Sequence, residues 1–147
     1  MLNSIKKALR DLFNKSSKYP TKGSLPKAVP SAEEAILPFN PAEYAIQPQT
    51  LKRLMDGDND IVLLDVREEW EYQTVHLDGA RWIPLGELPH RASELDPYAE
   101  IVVYCHRGMR SLDAAYLLQQ LGFKRVKSLV GGIDRWSHEV NSILQQY

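Results

Sequence analysis

One cysteine, Cys105, opens the heptapeptide Cys105-His106-Arg107-Gly108-Met109-Arg110-Ser111. A thiol becomes a strong nucleophile as thiolate, and a helix amino terminus beside cations favours that form. Arg107 and Arg110 supply the cations, with His106 as a third. N–H groups left free by a first helical turn suit either a sulfur anion or an oxyanion ligand. Gly108 lets the loop backbone turn, because glycine tolerates positive φ cheaply. The alternative, an inert core cysteine, would bury His-Arg-Gly-Met-Arg-Ser behind it at a high desolvation cost.

The flanking residues place this heptapeptide at a junction. Ile101-Val102-Val103-Tyr104 is a short apolar, β-branched run of the kind found in buried strands, and Leu112 to Leu121 has helical spacing. In an open parallel α/β sheet, ligands bind where strand carboxyl ends meet helix amino ends. Further strands are expected at 44–46, 61–64, 79–83 and 126–129. Helices are expected from Pro48 to a stop at Asp56-Gly57, from Glu68 to Tyr72, and in part over 85–95 with an interruption at Pro89. A further helix follows Gly131-Gly132 and carries Ile133, Trp136, Val140, Ile143 and Leu144 on one face. Gly122 is expected to cap the helix after the cysteine loop. Strand alternates with helix throughout, which predicts an α/β fold with parallel neighbours.

The 147 residues suffice for one domain and a tail, and 44% hydrophobic with 25% charged residues is ordinary for a globular chain. The net charge of −1 gives no case for nucleic acid, but it hides an asymmetry. Residues 1–30 hold Lys6, Lys7, Arg10, Lys15, Lys18, Lys22 and Lys27 against Asp11 alone, so the remainder is acidic. Leu2, Ile5, Leu9, Leu12 and Phe13 share a helical face opposite the basic residues of segment 2–13. That pattern fits a membrane surface, a protein partner, an organelle presequence, or packing on the chain's own domain. Residues 14–41 are rich in proline and serine and form an expected linker, so the division is a 1–41 tail and a 42–147 domain. A single cysteine excludes an intrachain disulfide and a multi-cysteine metal site, and it fits a reducing, cytoplasmic compartment. No apolar run approaches the roughly 20 residues of a transmembrane helix.

Several separated segments, in order, resemble signatures of the single-domain rhodanese (thiosulfate sulfurtransferase) family. They are Leu64-Asp65-Val66-Arg67-Glu68 with Trp70 and Tyr72, His76 before Gly79-Ala80, Ile83-Pro84, the Cys105 to Ser111 loop, and Val130-Gly131-Gly132-Ile133 with Trp136. The resemblance implies a three-layer rhodanese-like fold, a five-stranded parallel sheet with helices on both faces. It implies transfer of a sulfane sulfur through a Cys105 persulfide, with no metal or organic cofactor. The donor would be thiosulfate or a similar small molecule, or a protein persulfide, and the acceptor a thiol or cyanide.

On that resemblance Arg110 is expected to hold the donor's oxyanion through its fork geometry, and Arg107 to share that role or face solvent. His106, Gly108 and Met109 complete the substrate loop. Ser111 is expected to cap the following helix, with its hydroxyl in reach of the persulfide. Arg67 either pairs with Asp65 to brace the loop or lines the pocket. For His76 a structural hydrogen bond is favoured over general-base catalysis, and Trp70, Trp82 and Trp136 are expected in packing. Two rivals stand beside this reading. A cysteine-based phosphatase or arsenate reductase resembles a Cys, five residues, Arg pattern, whereas four residues separate Cys105 from Arg110 here. A non-catalytic rhodanese-like partner-binding module typically lacks the cysteine, which this chain retains. Mercaptopyruvate is a weaker donor candidate, because that branch of the family resembles a loop with neutral residues.

Overall fold

The computed structural model describes residues 38–147. The amphipathic segment 2–13, with its membrane or partner contact, and the linker up to residue 37 lie outside the described residues. The strands are β1 (Ala45–Ile46), β2 (Ile61–Asp65), β3 (Arg81–Trp82), β4 (Glu100–Tyr104) and β5 (Val126–Leu129). They form one sheet of order β1-β5-β4-β2-β3 in which every neighbouring pair is parallel. The helices are α1 (Pro48–Asp56), α2 (Glu69–Thr74), α3 (Leu88–Arg91), α4 (Met109–Gln120) and α5 (Gly132–Glu139).

Side chains alternate across a strand, so each strand feeds both faces of the sheet. Leu64, Ile101, Val103 and Val126 pack in one core with Leu88 of α3, Ala114, Leu117 and Leu118 of α4, and Leu121 just past its end. Leu63, Val102, Tyr104 and Leu129 pack in the other with Leu51, Ile133 and Trp136 from α1 and α5. The central strands β2 and β4 read as nearly unbroken apolar runs because both faces are covered. The three-layer α/β reading therefore holds.

The differences from expectation are local. Phe39 packs edge-on against Tyr116 at 5.2 Å, and the Pro38 carbonyl accepts from Gln119, so the folded body reaches upstream of residue 42. Pro89 lies in the first turn of α3, where a missing N–H costs nothing, and so opens that helix instead of interrupting it. The last helix stops at Glu139. Val140 and Leu144 still reach the core, but Ile143 is 90% exposed, because the turn after Glu139 breaks the helical phase. Helix α4 begins at Met109, three residues before the apolar spacing starts, because Gly108 at φ +102 ends the loop there. Gly122 closes α4 at φ +92 as expected, with its N–H on the Gln119 carbonyl.

Candidate active site

The register Asp65↔Tyr104 sets the ends of β2 and β4 side by side, so Val66-Arg67 and Cys105 leave the sheet at one edge. The Val66 N–H donates to the Tyr104 carbonyl at 3.2 Å and holds the two exits together. Cys105 then starts a loop that curls back on its own sulfur. Cys105 Sγ accepts the N–H of Gly108 at 3.1 Å and of Ser111 at 3.3 Å. Backbone donors aimed at sulfur are the partners a sulfur anion takes. The positive φ of Gly108 turns its N–H inward, and a Cβ there would come within 3.1 Å of the Gly131 nitrogen.

A second helix closes the loop from outside. The Ile133 and Asp134 N–H groups, in the first turn of α5, donate to the carbonyls of Cys105 at 2.9 Å and His106 at 3.0 Å. This approach is so close that a Cβ on Gly132 would lie 2.4 Å from both carbonyl oxygens. Gly131-Gly132 therefore does more than end β5: it brings the start of α5 against the cysteine loop.

The cations are distributed unevenly. Arg110 makes a bidentate pair with Glu71 at 2.6 and 2.8 Å. Glu71 Oε2 also accepts the Glu68 N–H as part of the capping box of α2, and Oε1 accepts the Tyr147 hydroxyl. The Glu71 carboxylate is thus saturated. Burial pushes its pKa up, but Arg110, the Glu68 N–H and Tyr147 outweigh burial and hold it at about 2. Arg107 is exposed and has no hydrogen-bond or ion-pair partner among the described residues. Of the two loop arginines, the one expected to bind the donor is held by protein, and the other is open.

Three further expectations change. Ser111 does not cap α4, because Gly108 takes that position. Ser111 sits inside the first turn, and its hydroxyl faces Ser128 Oγ at 2.8 Å and Cys105 Sγ at 3.5 Å. The surroundings of His106 disfavour its charge, against its expected part as a third cation. Burial lowers its pKa, with Arg107 and Arg110 acting in the same direction against Asp134 and Glu71. Its ring stacks on Tyr147 at 4.2 Å. Arg67 does not line a pocket: it is fully buried, bonded to both Asp65 oxygens, the Val75 carbonyl and the Tyr147 hydroxyl. Burial opposes its charge, yet the pairing with Asp65 wins and keeps it protonated. The ion pair with Asp65 is the alternative present, and its other partners, Val75 and Tyr147, lie outside the cysteine loop.

Met109 is 60% exposed on the outer rim of the loop. His76 stacks on Tyr72 at 4.0 Å with Nδ1 2.9 Å from the Tyr72 carbonyl, a structural arrangement. Trp136 is buried, Trp82 donates its indole N–H to the Arg67 carbonyl, and Trp70 lies at the surface, edge-on to Tyr147. The residues that sequence reasoning passed over are Glu71, Ser128, Asp134 and Tyr147. Only Glu71 had a local signal, the Glu68-x-x-Glu71 capping pattern. Among the described residues no group of three or more His, Cys, Asp or Glu is placed to hold a metal ion. No described helix is long and apolar enough to cross a membrane.

Comparison with known proteins gives a consistent picture. The family model described as Rhodanese-like domain matches residues 47–139. YrkF of Bacillus subtilis, provisionally named a sulfur carrier protein, is 41% identical over 92 residues, covering 63% of this chain and 50% of YrkF. This chain thus spans half the length of that relative. The thiosulfate sulfurtransferase GlpE of Coxiella burnetii is 35% identical over 77 residues, covering 52% of this chain and 72% of GlpE. A crystal structure of a rhodanese-related protein from Thermoplasma volcanium superposes with a TM-score of 0.60 at 29% identity, covering 65% of this chain and 92% of that one.

Proposed function

The chain belongs to the rhodanese-like domain family, and from that premise we propose that it is a sulfurtransferase working through a persulfide on Cys105. The observation that carries this reading is the sulfur itself, seated at the centre of its loop with two N–H groups directed at it. In the first half-reaction the Cys105 thiolate attacks the outer sulfur of thiosulfate. The S–S bond breaks, sulfite leaves with the bonding pair, and Cys105 carries the outer sulfur as a persulfide. In the second, cyanide or a thiolate attacks that terminal sulfur and restores the Cys105 thiolate.

The loop N–H groups face the sulfur before reaction starts, so their dipoles need no reorganisation as charge builds there. Arg107 meets the donor's sulfonate, because its guanidinium is open while Arg110 is engaged by Glu71. Arg110 instead holds the loop's far end against α2. The names of GlpE and YrkF support sulfur transfer or carriage. A reducing compartment such as the cytoplasm keeps the lone thiol available. The physiological acceptor in this reading is a thiol, small or on a protein.

Turnover tests the choice of donor. With cyanide as acceptor, thiosulfate is expected to be turned over with higher kcat/KM than mercaptopyruvate, and aryl phosphates are expected to give no turnover above background. Phosphate release comparable to thiocyanate formation would overturn the reading in favour of a phosphatase. Failure of every sulfur donor would favour a partner-binding module.

A further inference from the structure

Cys105 is only 1% exposed, yet it must lose a proton before it can act as a nucleophile. The two N–H groups on its sulfur are donors and cannot receive that proton. The Ser111 hydroxyl oxygen, 3.5 Å away, can. Ser111 is itself buried, and its hydroxyl contacts Ser128 Oγ at 2.8 Å. Ser128 is a polar side chain, 4% exposed, in β5, whose other buried residues, Val126 and Leu129, are apolar. It reaches the wall of a cleft of about 330 Å³ that Arg107, Met109, Leu112 and Val130 also line. Two hydroxyls therefore stand between the reactive sulfur and an open cleft that the second of the two residues lines.

We infer that Ser128 is a positioning residue for Cys105, orienting the Ser111 hydroxyl and completing the path by which the thiol proton leaves. The inference deepens the persulfide reading and rests on it for its purpose. The path balances as a relay. The S–H bond breaks and its electron pair stays on sulfur. The proton passes to Ser111 Oγ, the Ser111 proton to Ser128 Oγ, and the Ser128 proton to solvent water in the cleft. Afterwards both hydroxyls point back, Ser128 donating to Ser111 and Ser111 to the sulfur. The same pair that carries the proton out then stabilises the anion, since hydrogen bonds to a charged group are the stronger kind.

Other charged or titratable groups surround the loop. They are His106, Arg107 and Arg110 on the loop and its helix, Glu71 on α2, the Asp65–Arg67 pair at the end of β2, Asp134 on α5, and Tyr147. Among the described residues no hydrogen bond or ion pair joins any of these to Ser128, so their influence is common to all Ser128 variants.

The test follows thiolate absorbance against pH in the full chain, with Cys105→Ser as the blank, and needs no sulfur donor. Ser128→Ala and Ser128→Gly are expected to move the titration to higher pH by a roughly threefold change in the proton equilibrium, about half a pH unit, the size of a modest hydrogen bond. Ser128→Thr, which keeps the hydroxyl, is expected to retain the wild-type curve. Unchanged curves for Ser128→Ala and Ser128→Gly would overturn the inference. So would an equal shift in Ser128→Thr, because the effect would then follow packing and not the hydroxyl. A normal titration shift in a protein that transfers no sulfur would leave this inference standing while removing the proposed function.

Discussion

Gly132→Ala is expected to lower sulfurtransferase turnover by about 100-fold or more and to destabilise the domain by about 3 kcal/mol. Two effects combine. The backbone at Gly132 has φ +60, a conformation that costs a non-glycine residue on the order of 1 kcal/mol by itself. The added methyl also falls 2.4 Å from the carbonyl oxygens of Cys105 and His106, which are backbone atoms with no soft rotamer to yield. Either the start of α5 or the cysteine loop must move by a sizeable fraction of an ångström. The bonds from Ile133 and Asp134 to those carbonyls then stretch, and the N–H groups lose their aim at sulfur. Gly79→Ala separates the two causes. Gly79 has φ +77 but nothing within 4 Å of the would-be Cβ, so that variant should lose only about 1 kcal/mol and keep its turnover. Thermal unfolding and steady-state thiocyanate formation on both variants measure the contrast.

Glu71→Gln is expected to cost about 3 kcal/mol at pH 7, close to a 10 °C fall in melting temperature for a domain of this size. The amide keeps the shape of the carboxylate but has one acceptor oxygen in place of two, and its NH2 confronts donors on Arg110 or Glu68. The pH dependence gives a sharper signature than the loss itself. Glu71 has its ordinary value near 4.5 in the unfolded chain and is held at about 2 in the fold. A depressed carboxylate contributes stability that is complete above the unfolded value and disappears as pH falls through the folded one. The gap between wild type and Glu71→Gln should therefore be constant from neutrality down to about pH 5, narrow below that, and close near pH 2. A gap that stays constant through pH 3 would mean that the loss came from packing and not from charge.

What the sequence revealed of this fold followed from range. β2 and β4 were legible because a covered parallel strand is a continuous apolar run. The cysteine loop was legible because its chemistry is contained in seven adjacent residues. The order of the strands, by contrast, depends on which runs pair, and no single run names its neighbour. The site's supporting contacts were not legible because they join residues distant in sequence. Arg110 meets Glu71 across 39 positions and Arg67 meets Tyr147 across 80. A guanidinium beside a cysteine suggests an oxyanion ligand, and nothing local reveals that a carboxylate on α2 already occupies it. The capping role expected of Ser111 fails for a related reason, while its hydroxyl does lie in reach of the sulfur. Apolar spacing starts at Leu112, but the positive φ of Gly108 starts the helix at Met109, and this places the serine inside the first turn, toward Ser128. Tyr147 gave no signal at all, since a terminal tyrosine has no pattern that ties it to His106, Arg67 and Glu71.

The central claim is that Cys105 carries a sulfane sulfur, and intact-protein mass spectrometry after incubation with thiosulfate addresses it without knowledge of the acceptor. The wild-type chain is expected to gain the mass of one sulfur atom, to lose it on addition of cyanide, and to show neither change as Cys105→Ser. A wild-type protein that gains no sulfur under these conditions, or a Cys105→Ser protein that gains it equally, would contradict the account.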